Sequence, residues 1–86
     1  MRRRLIFSDK AWEDYLYWQD TDRAMVRRIN QLIKDIRRSP HEGIGKPEPL
    51  KHQLAGWWSR RIDSEHRFVY RVTEQVIEIA NLRNPY

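Results

Sequence analysis

The chain has 86 residues, about half of a typical domain, and this excludes a two-domain enzyme with a separate cofactor domain. With no cysteine, a disulfide scaffold, a thiolate nucleophile and a cysteine zinc site are excluded together. Seventeen Lys and Arg against 12 Asp and Glu give a net charge of +5, with 13 arginines to four lysines, which favours polyanions such as nucleic acid or an acidic protein, the plainer alternative being a well-solvated basic domain. In chain order, Met1-Arg2-Arg3-Arg4 is followed by only three apolar residues rather than a secretory core, and no apolar run approaches the roughly 20 residues that span a bilayer. A soluble, cytoplasmic protein without membrane attachment is expected. Arg4 to Phe7 reads as a short strand. Ser8 or Asp9 then makes an N-cap for a helix from about 9 to 19, with Ala11, Trp12, Tyr15, Leu16 and Gln19 at helical spacing. Met25, Val26, Ile29, Leu32, Ile33 and Ile36 recur at three-and-four spacing and mark the clearest element, a second helix that ends at Ser39-Pro40.

After a Pro/Gly-rich loop from Ser39 to Leu50 the period changes from 3.6 to 2. Trp57 to Ile62, Phe68 to Val72 and Val76 to Leu82 read as strands joined by short polar turns, and Lys51 to Leu54 reads as a further short strand. The expected fold is α+β, order β-α-α-β-β-β-β, with two helices packed on one face of a curved antiparallel sheet. Alternation sends Phe68, Tyr70 and Val72 to one face and Arg67, Val69 and Arg71 to the other; Trp58 and Ile62 likewise oppose Trp57, Ser59 and Arg61. If the helices cover the first set, Arg61, Arg67 and Arg71 remain with Trp57 on a face that no other element can cover. Such a face resembles a platform for single-stranded nucleic acid, although an uncovered antiparallel face is polar in any case.

The residues able to do chemistry are few. Glu48 stands between Pro47 and Pro49 on a stretch whose φ angles are fixed, and such stiffness suits a positioned base; from spacing alone, a turn glutamate in a Pro-rich connector is the simpler reading. Gly43-Ile44-Gly45 lacks the second half of either phosphate-loop pattern. His41, His52 and His66 include no pair at zinc spacing, and no Ser-His-Asp arrangement is legible. One carboxylate with arginines, lysines, histidines and a terminal tyrosine fits RNA cleavage by its own 2′-hydroxyl, in which a base takes the proton, arginines hold the phosphorane charge and an acid protonates the leaving 5′ oxygen.

Four stretches carry a more specific signal: Trp12-Glu13-Asp14-Tyr15-Leu16-Tyr17-Trp18, Gly45-Lys46-Pro47-Glu48-Pro49-Leu50-Lys51-His52, Trp58-Ser59-Arg60-Arg61-Ile62 and Glu65-His66-Arg67-Phe68-Val69-Tyr70. With them the chain resembles, over essentially its whole length, the YoeB toxins of bacterial toxin-antitoxin pairs, within the RelE-like superfamily. The resemblance implies a microbial-RNase-like fold, often dimeric, that enters the ribosomal A site and cuts mRNA without metal or other cofactor. It also implies a YefM-like antitoxin that represses both genes at operator DNA and covers the toxin's active site with a disordered C-terminal segment. Carried over by residue, the general base falls on Glu48 and the phosphate-binding residues on Lys51, Arg61 and Arg67. The family ends in a His-Tyr pair that supplies the acid and a stacking tyrosine. Here Tyr86 matches, but Pro85 stands in place of the histidine, so the leaving oxygen must take its proton from Tyr86, from a nearby histidine such as His66, or from water. Two rival functions follow: a catalytically weakened relative acting mainly through antitoxin and operator binding, and a nuclease on free RNA or DNA.

Overall fold

The structure, a computed structural model, describes residues 2–84. Strand β1 (Arg4–Phe7) leads into α1 (Asp9–Thr21) and α2 (Arg23–Arg38), followed by β2 (Glu48–Pro49), a 3-10 turn (His52–Leu54), β3 (Trp58–Arg61), β4 (Arg67–Val72) and β5 (Val76–Asn81). The expected class and element order are thus observed. Both helices start on a side-chain cap: Ser8 Oγ accepts from the Ala11 N–H, and Asp22 closes α1 and opens α2 by accepting from the Ala24 N–H. Capping of this kind satisfies N–H groups that have no partner within the helix.

The five strands form one sheet in the order β1-β5-β4-β3-β2. Contrary to the expected all-antiparallel arrangement, the sheet is mixed: β1 runs parallel to β5, with Leu5 opposite Ile77 and Phe7 opposite Ile79. The two helices and the rest of the sheet lie between these strands in sequence, which is the long crossover a parallel pair requires. A second correction concerns residues 51–54. Lys51 precedes a 3-10 turn and no strand forms there; the short strand is Glu48–Pro49, paired with Trp58 and Ser59. Because β2 is at the edge of the sheet, Pro49 can lack an N–H donor without breaking a central ladder.

The core lies between the helices and one sheet face. Met25, Ile29, Leu32 and Ile36 of α2 meet Ile62, Phe68, Tyr70, Ile77, Ile79 and Leu82, and each fully buried aliphatic side chain contributes roughly 1.5–3 kcal/mol by leaving water. Helix α1 buries a different face from the one its apolar spacing suggested. Ala11, Asp14 and Trp18 are buried, whereas Trp12 and Leu16 are exposed. Asp14 is tolerated there because its carboxylate pairs with Lys10 Nζ at 2.7 Å and accepts the Leu82 N–H at 3.0 Å. Among the described residues no helix is long and apolar enough to cross a membrane.

Candidate active site

The sheet face turned away from the helices is organised in transverse rows, because residues directly opposite in an antiparallel pair point the same way. Glu48 faces Ser59, Ser59 faces Val69 and Val69 faces Asn81. The next row brings Arg61 opposite Arg67. Glu48 is therefore one diagonal from Arg61, a backbone separation of about 7–8 Å. Arg61 is exposed and Arg67 partly so; Arg67 also donates from Nη1 to the Asp63 carbonyl at 3.3 Å. Among the described residues neither is ion-paired with a carboxylate. Two like charges opposite each other destabilise a sheet, and an anion bound between them removes that cost.

The remaining arginine of the expected platform is committed elsewhere. Arg71 forks onto Glu78, with Nη2 at 3.0 Å and 3.1 Å from its two oxygens, and its guanidinium carbon lies 4.5 Å from the centre of the Trp57 ring. The open face is also narrower than alternation implied, since Ser59 and Val69 at its centre are buried. What is left for an anion is the Arg61–Arg67 pair with Glu48 beside it. Lys51 is exposed just after β2, where Glu48, Pro49, Leu50, Lys51, His52 and Leu54 line a pocket of about 330 Å³. The expected site residues Glu48, Arg61 and Arg67 thus lie on neighbouring strands of the sheet, and Lys51 follows β2 in the loop beside Glu48.

Tyr86 and Pro85 lie outside the described residues. Asn84, to which they are joined, is fixed to the start of β4: its carbonyl accepts the Arg67 N–H at 3.1 Å and its N–H donates to His66 Nδ1 at 2.8 Å. That bond leaves the neutral imidazole with its proton on Nε2. The His66 ring also packs edge-on against Trp18 of α1, with centroids 4.9 Å apart. Its observed work is to hold the root of the C-terminal segment. Among the described residues, no group of three or more His, Asp or Glu side chains could hold a metal ion.

Sequence reasoning passed over Arg60. It is fully buried and its five N–H donors are all engaged: Nε with Tyr70 Oη, Nη1 with Asp35 Oδ2 and the Ile44 carbonyl, Nη2 with the Ser39 and Glu42 carbonyls. Hydrogen bonding to Arg38, outweighing the burial that opposes it and helped by Arg60 and the Ile44 N–H, holds the Asp35 carboxyl at about 2. Burial raises the Tyr70 phenol above its ordinary value. The signal was parity: Arg60 shares its strand face with Trp58 and Ile62.

Comparison with known proteins bears on the family and the fold. The family model of the YoeB-like toxin of bacterial type II toxin-antitoxin systems matches residues 7–86. Toxin YoeB of Escherichia coli strain K12 is 60% identical over 83 residues, covering 96% of this chain and 99% of that protein. The YoeB dimer from Staphylococcus aureus matches with a TM-score of 0.94 at 49% identity, covering 100% of both chains. A heterotetrameric YoeB-YefM complex from the same organism matches with a TM-score of 0.91 at 49% identity, again over 100% of both chains.

Proposed function

The chain belongs to the YoeB-like toxins of bacterial type II toxin-antitoxin systems, and from that premise we propose that it is a ribosome-dependent, metal-independent mRNA endoribonuclease. The reading rests on one observation: Arg61, exposed, and Arg67, partly exposed, face each other across β3 and β4 without a carboxylate partner among the described residues, with Glu48 one diagonal away on the same face. Glu48 takes the proton of the 2′-hydroxyl. The 2′ oxygen attacks the adjacent phosphorus and the bond to the 5′ oxygen breaks, leaving a 2′,3′-cyclic phosphate and a 5′-hydroxyl. Lys51, Arg61 and Arg67 hold the negative charge that grows on the phosphorane, where fixed donors contribute most. Tyr86 stacks on a base or serves as a secondary acid, and the leaving 5′ oxygen takes its proton from Tyr86 or from water. The partners that go with this activity are the ribosomal A site with its mRNA, a YefM-like antitoxin, operator DNA through the toxin-antitoxin complex, and a second copy of the chain; the setting is the cytoplasm.

Single-turnover cleavage on programmed ribosomes tests the reading. Cleavage stops when the nucleotide 5′ to the scissile phosphate lacks its 2′-hydroxyl. Cutting of a fully deoxy substrate, or of free nucleic acid in a reaction that EDTA inhibits, supports instead a nuclease with a water nucleophile. Pro85 favours a second reading, in which a toxin without the family's acid acts mainly by binding antitoxin and operator DNA. That reading predicts ribosome binding with no cleavage.

A further inference from the structure

We propose that Arg60 is a positioning residue for the cleavage step, acting as a buried clamp that sets Glu48 against the Arg61–Arg67 pair; this rests on the functional reading above. Three consecutive residues of β3 hold the segment from Ser39 to Glu48. Ser59 is the strand partner of Glu48. The Arg60 guanidinium donates to the carbonyls of Ser39, Glu42 and Ile44 at 2.6, 3.0 and 3.1 Å. The Arg61 N–H donates to the Gly45 carbonyl at 2.6 Å. The strand that presents Arg61 to the phosphate therefore also fixes the path of the loop that presents Glu48.

The clamp is rigid because no donor of Arg60 is free to change partner. Asp35 locks it from the helix side, accepting from Arg60 Nη1 at 2.6 Å and from the Ile44 N–H at 3.0 Å, while Tyr70 receives the Arg60 Nε–H and donates its own hydroxyl proton to the Pro40 carbonyl at 2.7 Å. Gly43 closes the arrangement. It has a φ of +123°, and a Cβ at this position would collide with the Asp35 carboxylate. A loop held by an arginine with all five donors used is stiffer than the prolines alone make it, since those fix φ only at Pro47 and Pro49. Small displacements of a base from its near-attack position cost large factors in rate.

Arg60→Lys keeps the buried charge but cannot reproduce five planar donors, and Gly43→Ala disturbs the same clamp from the loop. Met25→Ala, in the core and away from the site, provides a variant with a comparable loss of Tm. On programmed ribosomes, well below each Tm, Arg60→Lys and Gly43→Ala lower kcat by at least about tenfold with KM within about threefold, whereas Met25→Ala leaves both unchanged. Amide exchange in the ribosome-free protein rises at Ile44 in the first two variants and is unchanged in the third. Parent turnover in folded Arg60→Lys and Gly43→Ala, or an equal loss in Met25→Ala, overturns the clamp and leaves the functional reading intact. A parent protein that binds ribosomes without cutting mRNA overturns the functional reading and the clamp together.

Discussion

At the scale of single residues the open face separates arginines by what already satisfies them. Arg71 has a forked carboxylate and an aromatic ring, while Arg67 has one backbone carbonyl and a like-charged neighbour. Arg67→Ala and Glu48→Gln should each lower single-turnover cleavage by roughly a hundredfold, the effect of removing a fixed transition-state contact or a positioned base, with an unaltered far-UV CD spectrum. Arg71→Ala should change the same rate by less than about threefold, because an exposed ion pair contributes only about 0–1 kcal/mol to the fold. A folded Arg67→Ala protein as fast as the parent would falsify the assigned role. The C-terminal pair makes a separate prediction. If proton delivery to the 5′ oxygen limits the reaction, Pro85→His raises the rate by about a hundredfold or more, and the gain follows a pH midpoint near 6.5. An unchanged rate, on a ribosome-bound variant, means the acid step is met by another group. Adding Tyr86→Phe then shows whether the terminal hydroxyl supplies it.

At the scale of elements, the parts legible in the sequence were those that depend on local pattern. Helix α2 carries its core residues on a single clean face, and the polar turns around Asp63-Ser64-Glu65 and Thr73-Glu74-Gln75 give the expected hairpins, the second with a register shift between Val69 and Tyr70. Pairing of β1 with β5 left no such trace, because the two strands are some 70 residues apart and no turn joins them. The buried face of α1 was hidden by Asp14, a polar residue whose partners Lys10 and the Leu82 N–H come from a helical turn away and from the far end of the chain. Alternation put Arg61 and Arg67 on one face, and the flanking prolines and the resemblance singled out Glu48, but the clamp was not legible, since Asp35 and Arg60 meet only after helix and sheet pack. Asp35 carries a pH prediction, because Arg38 on its own helix first, and then Arg60 and the Ile44 N–H, lower its carboxyl. The unfolded carboxyl titrates near 3.8 and the folded one at about 2, so the stabilisation is fully present above about pH 4 and fades as the pH falls toward 2. Nearly two pK units correspond to about 2 kcal/mol. Asp35→Asn should therefore be less stable than the parent at neutral pH, with the gap between their urea midpoints narrowing from pH 4 downward. A gap that stays constant to pH 2 would show that the carboxylate charge is not what stabilises the fold at this position.

At the scale of the whole molecule, charge and surface act together. The net charge is +5, the Arg61–Arg67 row of the open face has no internal counter-ion among the described residues, and the other face is closed by the helices. If the antitoxin segment proposed to bind here is acidic and largely disordered, the net charge draws it in at distances set by the screening length, roughly 30 Å in 10 mM salt and 8 Å at physiological strength. Once docked, its apolar contacts set how long it stays, and these respond little to salt. Association of such a segment should therefore slow by at least about tenfold between 10 and 150 mM salt, while dissociation changes by less than about threefold. Neutralising one member of the unpaired row isolates the local part of this effect. Arg61→Gln lowers the net charge by one and removes the like-charge repulsion from Arg67, so it flattens the salt dependence of association more than Arg71→Gln, which removes a charge already paired with Glu78. Stopped-flow mixing over a salt series measures both slopes. Equal slopes for the two variants would show that the antitoxin responds to net charge alone, and an association rate indifferent to salt in the parent would remove electrostatic steering from the encounter altogether.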